Sequence, residues 1–239
     1  MRSFDATVSQ IIQEGRDSKT FRLELPEGAS FDFRPGQFVR VAFPEEPEAR
    51  RPYAIGSSPL EKGFVEITLE RLGLGSPTRD IFDLRGGETL RVHGPYGDWQ
   101  YRDEDRHAVL ISSDTGITPL RSMIRYVLDK GLPNRVALFY AARTPSRIIF
   151  RRELEDFARN GIQVHVTITE PGGMLADELW DGPTGPITVP AIRMSVPGFR
   201  EATYYLSGSG RDIEKLRDRL AKAGVARERI LYENHGERR

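Results

Sequence analysis

The fold class of this chain follows from the stretch AVLISSDTGITPLRSMIRYVLDKG, residues 108–131. The apolar run at its start is typical of a buried strand, and the apolar spacing after Pro119 is typical of a helix. Gly116 lies in the turn between them, and Gly131 can serve as the C′ residue that ends the helix. A buried strand that passes through a glycine turn into a helix predicts a parallel sheet with crossover helices.

The same alternation continues to the end of the chain. Further buried strands are predicted in RVALFYAA, QVHVTIT, TYYLSG and RILYE, with helices in IFRRELEDFARNG and RDIEKLRDRLAKAG that end at Gly161 and Gly224. We therefore predict a doubly wound α/β domain over residues 103–239. In such sheets ligands bind at the carboxyl ends of the strands.

The first hundred residues have a different pattern. Short bursts with period two, ATVSQII, TFRLELP, QFVRVAF, FVEITLERL and ETLRVHG, are separated by Gly and Pro. They predict five or six antiparallel strands in a small barrel or sandwich, which we assign to residues 1–102. The charged segment YRDEDRH, residues 101–107, marks the change of pattern.

Composition excludes several classes of function. Lys+Arg and Asp+Glu both count 35 among 239 residues, so no field of one sign exists to recruit nucleic acid. The absence of cysteine excludes thiolate-bound iron–sulfur clusters and thiol nucleophiles, and we predict no metal site. Redox chemistry would need a bound organic cofactor. No apolar run approaches the roughly 20 residues of a membrane span, and we expect a soluble, cytoplasmic protein.

The segment RPYAIGSSP, residues 51–59, combines a guanidinium, an aromatic ring and small residues. A flavin dinucleotide needs such groups, because its flat ring packs on an aromatic face and its diphosphate binds a guanidinium fork. With FRPGQFVRVAF before it and ERLGLGSPTRDIFDL after it, this segment resembles the flavin domain of the ferredoxin–NADP+ reductase family, whose pattern is Arg-x-Tyr-Ser/Thr-x-x-Ser. The resemblance implies that Arg51 holds phosphate and that Tyr53 lies against the isoalloxazine or ribityl region of FAD.

Other residues of this segment are candidates as well. The resemblance implies FAD contacts for Pro52, Ala54, Ile55 and Ser58, and we expect the small residues after Tyr53 to let the backbone approach the ring. Many members of the family carry a hydroxyl at the position of Ala54. Backbone groups must replace that hydroxyl here, or hydride transfer is slower.

The family's Gly-x-x-Ser element is matched by residues 73–76, followed by Pro77. Backbone amides at such a helix start can hold a diphosphate oxygen. This resemblance makes Arg71, Gly75 and Ser76 candidates, with Thr78 as a rival of Ser76. The alternative is a serine N-cap without a ligand. GPYGDW, residues 94–99, resembles the family's turn between the two domains.

Residues 113–119 occupy the place of the family's Gly-Gly-Thr-Gly-x-x-Pro nucleotide turn. Only the end of that motif matches, and the resemblance implies that the nicotinamide nucleotide binds at Thr115, Gly116, Thr118 and Pro119. An anionic Asp114 beside a diphosphate is unfavourable unless it points away. The alternative is a plain turn with Thr118 as N-cap and Pro119 as the first helical residue.

Two later segments also resemble the family. FYAARTPSRIIFRRELE matches its second strand and the following helix. YYLSGSG matches its Cys-Gly-Pro turn, with Ser207 in place of the cysteine and with Gly208 and Ser209 behind it. In RILYENHGERR, the resemblance implies that Glu233 acts near the flavin as charge stabiliser or proton relay and that His235 covers the outer face of the ring. The predicted catalytic residues are therefore Tyr53, Ser207 and Glu233.

The choice of nucleotide stays open at this point. Arg143 and Arg147 follow the second strand and favour the 2′-phosphate of NADPH, whereas Glu170 after the third strand favours the free ribose of NADH. We prefer NADH slightly, because a fixed acid is unfavourable beside phosphate.

The resemblance covers nearly the whole chain and implies an FAD-dependent NAD(P)H oxidoreductase. Hydride would pass from nicotinamide to flavin, and electrons would leave to a separate acceptor such as a ferredoxin, a flavodoxin, an oxygenase component or a free flavin. One alternative is a flavin reductase for which flavin is only a substrate. Another is a non-catalytic flavin-binding subunit that has lost nicotinamide binding.

Overall fold

The computed structural model describes residues 2–71, 81–171, 179–208 and 210–233. In chain order the elements are β1 (Arg2–Gly15), β2 (Ser18–Glu24), β3 (Phe38–Ala42), β4 (Arg51–Ala54), β5 (Phe64–Glu70), β6 (Thr89–Tyr96), β7 (His107–Ser113), α1 (Ile117–Asp129), β8 (Arg135–Ala142), α2 (Arg151–Arg159), β9 (Gln163–Ile168), α3 (Val189–Ser195), β10 (Thr203–Ser207), α4 (Gly210–Lys222) and β11 (Ile230–Tyr232).

The amino-terminal half is an antiparallel barrel. Its six strands have the order β4-β3-β6-β1-β2-β5, and a bridge between Ile55 and Ile67 joins the two edge strands. Alternate residues point inward as the period-two pattern predicts, so that Val39, Leu90 and Val92 are fully buried. The predicted antiparallel domain is confirmed.

The carboxy-terminal half is a doubly wound α/β domain, as predicted. Its five parallel strands have the order β11-β10-β7-β8-β9. Buried residues of α1 and α2 share one cluster with Leu110 and Leu138, whereas those of α3 and α4 share another with Val109 and Phe139. Because β7 lies between β8 and β10, the direction of winding reverses there and the carboxyl ends of β7 and β10 form the switch point.

Helix boundaries differ in part from the sequence predictions. Gly131 and Gly161 have φ of +64° and +87° just after α1 and α2, as C′ residues should. The N-cap of α1 is Gly116, so the prediction that Thr118 caps this helix is wrong. The helix α2 begins at Arg151, because the residue before it has left-handed backbone. The sequence analysis missed α3.

The segment between the two sheets is held by aromatic packing. The barrel sheet ends at Tyr96 and the parallel sheet begins at His107, and the predicted boundary after residue 102 stays a prediction. Between them, the ring of Tyr101 is buried and stacks on Tyr205 with centroids 5.4 Å apart. The Tyr205 hydroxyl accepts a hydrogen bond from the Arg102 N–H at 3.1 Å. The linking segment is thus part of the α/β core.

Within the described residues, no helix is both long and apolar enough to cross a membrane.

Replacing Gly36 by alanine should destabilise the protein more than the same change at Gly28. Both glycines have positive φ, +102° and +75°, but a Cβ on Gly36 would lie 2.6 Å from the Trp99 carbonyl oxygen, whereas nothing lies within 4 Å at Gly28. We expect a loss of roughly 1–2 kcal/mol for Gly28→Ala from backbone strain alone and of about 3 kcal/mol or more for Gly36→Ala. Urea unfolding measures both, and equal losses would contradict the close approach of Trp99.

Candidate functional site

The turns that follow β7 and β10 touch each other at the switch point. A Cβ on Gly116 would lie 2.6 Å from the Ser207 carbonyl oxygen and 2.8 Å from the Gly208 Cα. A Cβ on Gly208 would lie 2.8 Å from the Ser113 hydroxyl oxygen. Because the obstacle at Gly116 is backbone, only glycine fits there without moving the chain. The two predicted nucleotide turns are therefore brought together.

The two predicted catalytic residues of the α/β domain are hydrogen-bonded. The Ser207 side chain is fully buried, and its hydroxyl donates to a Glu233 carboxylate oxygen at 3.1 Å. The Glu233 backbone N–H donates to the Leu206 carbonyl at 3.0 Å, which holds the half-buried glutamate at the end of β11. A carboxylate and a hydroxyl are thus positioned at the carboxyl edge of the sheet.

Thr118 connects this edge to the barrel. Its side chain is 2% exposed, and among the described residues its hydroxyl has no hydrogen-bond partner. Its methyl carbon lies 3.1 Å from the position that a Cβ on Gly56 would take. Gly56 follows Tyr53 by three residues, so the first turn of α1 contacts the end of the predicted flavin segment.

These features fit a bound dinucleotide. Buried hydroxyls are normally hydrogen-bonded, and the first turn of a helix offers free N–H groups to a diphosphate. The glycines at 116 and 208 let the two turns lie against each other, because a Cβ at either position would meet Ser207 or Ser113. The hydrogen-bond donors at the switch point are therefore of the kind that a nicotinamide nucleotide needs.

The first four residues of the predicted flavin segment form the edge strand β4, and Ile55 follows it. Arg51 and Pro52 are exposed, Tyr53 and Ala54 are half-buried, and Ile55 is fully buried. Among the described residues β4 pairs with β3 and, through Ile55, with β5, so the outer edge of Arg51–Ala54 faces away from the sheet.

Arg51 lines a small cleft together with Ile81, Phe43 and Ala49. Ile81 begins the short helix Ile81–Asp83, which follows the predicted diphosphate element in the sequence. That element, residues 73–78, lies outside the described residues, and its position relative to Arg51 stays a prediction.

Several predicted site residues lie outside the described residues: Gly75, Ser76, Thr78, Ser209 and His235. Arg71 is described and has partners of its own. Its guanidinium pairs with Asp83 at 2.5 Å and lies over the Phe82 ring at 4.7 Å.

The small residues after Tyr53 contact a helix. The Gly56 carbonyl accepts a hydrogen bond from Arg121 at 2.9 Å, and the Ser57 carbonyl accepts one from the Ser122 hydroxyl at 2.6 Å. The Ser58 hydroxyl accepts from the Leu60 N–H at 3.3 Å, and its role toward FAD stays a prediction. Small side chains at 56 and 57 therefore let the barrel pack closely on α1, a purpose that the sequence analysis did not foresee.

A buried charge network, which the sequence analysis missed, crosses the domain contact. Arg121 in α1 is 6% exposed and binds Glu66 of β5 at 2.6 Å and Glu153 of α2 at 2.5 Å. Glu66 is 1% exposed and also binds Arg22 at 2.8 Å. Burial alone would raise the pKa of Glu66, but Arg121 and Arg22 outweigh it and hold the pKa below its ordinary value. Both groups of the central pair are therefore charged at neutral pH.

The residue after β7, Asp114, has an unusual backbone conformation. Its φ is +47°, which aspartate tolerates better than most residues and which explains why the family uses glycine there. Its carboxylate lies 3.7 Å from Arg143. Burial raises the pKa of Asp114, and Glu170 raises it further, although Arg143 and Arg147 oppose the shift.

Arg147, which the sequence analysis considered for the 2′-phosphate, faces the barrel. It binds Asp17 at 2.7 Å and Glu70 at 3.0 Å. Burial raises the pKa of Glu70, and the neighbouring Asp114 raises it further. Acids therefore outnumber the two arginines around this edge of the sheet.

One cleft in the described part of the chain lies away from these residues. Its volume is about 730 Å³, and it is lined by residues near the other end of α1, among them Trp99, Tyr126 and Lys130. None of the residues predicted to bind a cofactor or to act in catalysis lines this cleft.

Comparisons with known proteins agree with both halves of this geometry. Residues 5–101 match the model of the oxidoreductase FAD-binding domain, and residues 110–215 match that of the oxidoreductase NAD-binding domain. The chain is 30% identical to ferredoxin–NADP reductase B of Sorangium cellulosum, over 89% of both chains. It is 34% identical to the glycine betaine monooxygenase reductase subunit of Chromohalobacter salexigens, over 83% of this chain and 55% of that protein.

The chain thus spans about half the length of the monooxygenase reductase subunits that it matches. Among solved structures, the FAD/NAD-binding domain of a nitric oxide dioxygenase from Vibrio cholerae matches with a TM-score of 0.81 at 23% identity, over 96% of this chain and 97% of that one. This likeness concerns the fold.

Asp114→Asn should stabilise the protein at neutral pH. The raised pKa means that folding disfavours the charged form, so the penalty is full above the folded pKa and disappears below the unfolded value of 3.8. Asparagine tolerates the same backbone and has no charge. We expect a higher unfolding midpoint at pH 7, by no more than about 1 kcal/mol for this partly exposed group, and a difference that vanishes toward pH 4.

The exposed Asp98→Asn is the control for this measurement. A stabilisation by Asp114→Asn that persists unchanged at pH 4 would contradict the electrostatic cause.

Proposed function

The chain belongs to the ferredoxin reductase-like family of FAD- and NAD(P)H-binding oxidoreductases, and on that basis we propose that it transfers electrons from NADH through FAD to a separate acceptor. The observation that carries this proposal is the contact between Thr118, in the nucleotide turn, and Gly56, at the end of the flavin segment. When bound, nicotinamide supplies a hydride and the flavin accepts it. The residues of the protein must bring the two rings into contact.

On the barrel, Arg51 would bind the diphosphate of FAD, and Tyr53 would pack against the flavin. Pro52, Ala54 and Ile55 would contribute backbone contacts along the edge of β4, which no further strand of the described residues covers. The proposed helix start at residues 75–78 would bind the diphosphate through backbone amides. Arg71 is weaker as a phosphate ligand than the sequence suggested, because Asp83 already pairs with it.

On the α/β domain, the turn of Thr115 and Gly116 and the first turn of α1 with Thr118 and Pro119 would bind the nucleotide. Gly208 would let it lie close to the backbone. Ser207 would then face the nicotinamide, and Glu233 would accept its hydroxyl proton in a hydrogen bond, which orients the lone pairs of the Ser207 oxygen. Glu233 can also relay a proton through that oxygen.

The charges at the end of the second strand support NADH as the donor. Arg143 has Asp114 beside it, and Arg147 is engaged by Asp17 and Glu70. The carboxylate of Glu170 adds a further negative charge close to Asp114. A 2′-phosphate would enter a surplus of acids, whereas a ribose diol can donate to them.

The names of relatives support a protein acceptor. A monooxygenase reductase subunit and a ferredoxin–NADP reductase are among them. We propose an oxygenase component or a ferredoxin as the acceptor class, with a small-molecule acceptor such as free flavin as the competing outcome. Steady-state assays with each class of acceptor decide between them.

Arg51→Ala should release FAD and leave the fold intact. Loss of a charge-assisted hydrogen bond costs about 1.5–3 kcal/mol, or a 10- to 100-fold loss of affinity. The FAD content after desalting measures this, with the fold checked by thermal unfolding. Arg40→Ala is the matched control, because Arg40 is an exposed arginine on the neighbouring strand β3. An Arg51→Ala protein that retains full FAD would contradict the assigned role.

Mixing the anaerobic protein with each nucleotide tests the reaction itself. We expect NADH to bleach the visible flavin band and to do so with a kcat/KM at least about 10-fold above that of NADPH, because the acids repel the additional phosphate. A preference for NADPH would contradict the nucleotide assignment alone. No bleaching with either donor would contradict the oxidoreductase and favour a flavin-binding subunit.

A further inference from the structure

One side chain at the domain contact joins three elements. The guanidinium of Arg121 on α1 donates to the Glu66 carboxylate on β5, to the Gly56 carbonyl in the turn after β4, and to the Glu153 carboxylate on α2. We call these four residues the Arg121 clamp. The first two partners belong to the barrel, and the third belongs to the α/β domain. The clamp therefore fixes a distance between the domains.

The clamp acts at the point where the two proposed cofactors must meet. Gly56 is held from the barrel side as well, because its N–H donates to the Glu66 carbonyl at 2.7 Å. One face of α1 carries Thr118, Arg121 and Ser122. The first two contact Gly56, and Ser122 contacts Ser57. A shift of Arg121 would thus move the nucleotide turn relative to the end of the flavin segment.

A buried ion pair such as the one between Arg121 and Glu66 is not the most stable kind of contact between two domains. Desolvation of two charges roughly cancels their attraction, and an apolar pair of similar volume is often as stable or more so. The Arg121 guanidinium lies over the ring of Phe150, with 4.6 Å between the guanidinium carbon and the ring centroid. The backbone of Phe150 is left-handed, with a φ of +59°. Left-handed backbone in a bulky residue is strained and persists where the surroundings impose it. Both features indicate a contact that specifies geometry.

We propose that Arg121 is a positioning residue for hydride transfer: through Glu66 and Gly56 it holds the nucleotide turn of one domain at reaction distance from the flavin segment of the other. The inference rests on the proposed function. In this proposal Arg121 acts through its protein partners and not on the cofactors. Its contribution is the alignment of two rigid bodies, for which a misplacement of about 1 Å can cost 100-fold in rate.

Arg121→Met and Arg121→Lys test this proposal. We expect Arg121→Met to slow flavin reduction by NADH about 100-fold in anaerobic stopped flow. We expect Arg121→Lys to slow it about 10-fold, because an ammonium keeps the charge but cannot reproduce the fork. Reduction by dithionite, which needs no second domain, should stay at the wild-type rate. FAD content and the Kd for NADH should change less than twofold.

Arg159→Met is the matched control. Arg159 lies on α2, is 69% exposed and pairs only with residues of its own helix in the described part of the chain. Its reduction rate should stay within twofold of wild type. A comparable loss of rate in this variant would attribute the effect to charge removal in general and overturn the proposal.

Hydrogen exchange gives a readout that does not depend on activity. In Arg121→Lys the amides of residues 56–58 and of the first turn of α1 should exchange faster, while those of β1 and β2 stay unchanged. A variant that retains FAD, wild-type exchange and the wild-type reduction rate overturns the proposal. Loss of FAD or of cooperative unfolding in both variants would make Arg121 a structural residue and overturn it as well.

Failure of the proposed function would look different. In that case the wild-type protein itself is not reduced by either nucleotide, whatever residue 121 is. The exchange pattern of Arg121→Lys still reports whether the clamp holds residues 56–58 against α1, and an unchanged pattern overturns the clamp on its own.

Discussion

Glu66 and Arg121 are buried charges contributed by different domains, and each neutralises the other. An unpaired charge of this kind costs several kcal/mol, so the two domains can dock only in an orientation that satisfies both. Arg22 and Glu153 complete the pairing on either side. This pairing is therefore one constraint on the placement of Thr118 relative to Gly56.

Within the α/β domain a second constraint is purely steric. Gly116 has ordinary φ and yet accepts no side chain, because the Ser207 carbonyl stands where its Cβ would be. Asp114 is the opposite case, since its backbone is left-handed but its side chain has room. The family therefore needs glycine at positions 114 and 116 for different reasons. Only the glycine at 116, which the neighbouring backbone requires, is indispensable. This explains how the turn retains its shape although two of the motif glycines are absent.

The sequence predicted what depends on local periodicity and on strand order. Ser207 and Glu233 come together because parallel strands end at one edge, and the patterns of β10 and β11 predict that edge. The burial of Arg121 also had a local signal, because its spacing from Ile117, Leu120 and Ile124 places it on the apolar face of α1. For Glu66 the sequence gives no local signal of burial. The alternation along β5 places its side chain on the outer face of the barrel, where the docking of α1 buries it. Long-range partners of this kind follow from packing and not from the local sequence.

Long-range partners also matter for the choice between NADH and NADPH. From the sequence, Arg143 and Arg147 were two candidate ligands for the 2′-phosphate of NADPH. In the structure both lie beside carboxylates, and a guanidinium that already neutralises a carboxylate attracts a phosphate less strongly. Arg147 pairs with Asp17 and Glu70 of the barrel and thereby joins the domains at a second place. The partners of Arg147 are thus residues of the barrel. Selectivity must come from the field of all charges at this edge, in which the acids are in excess.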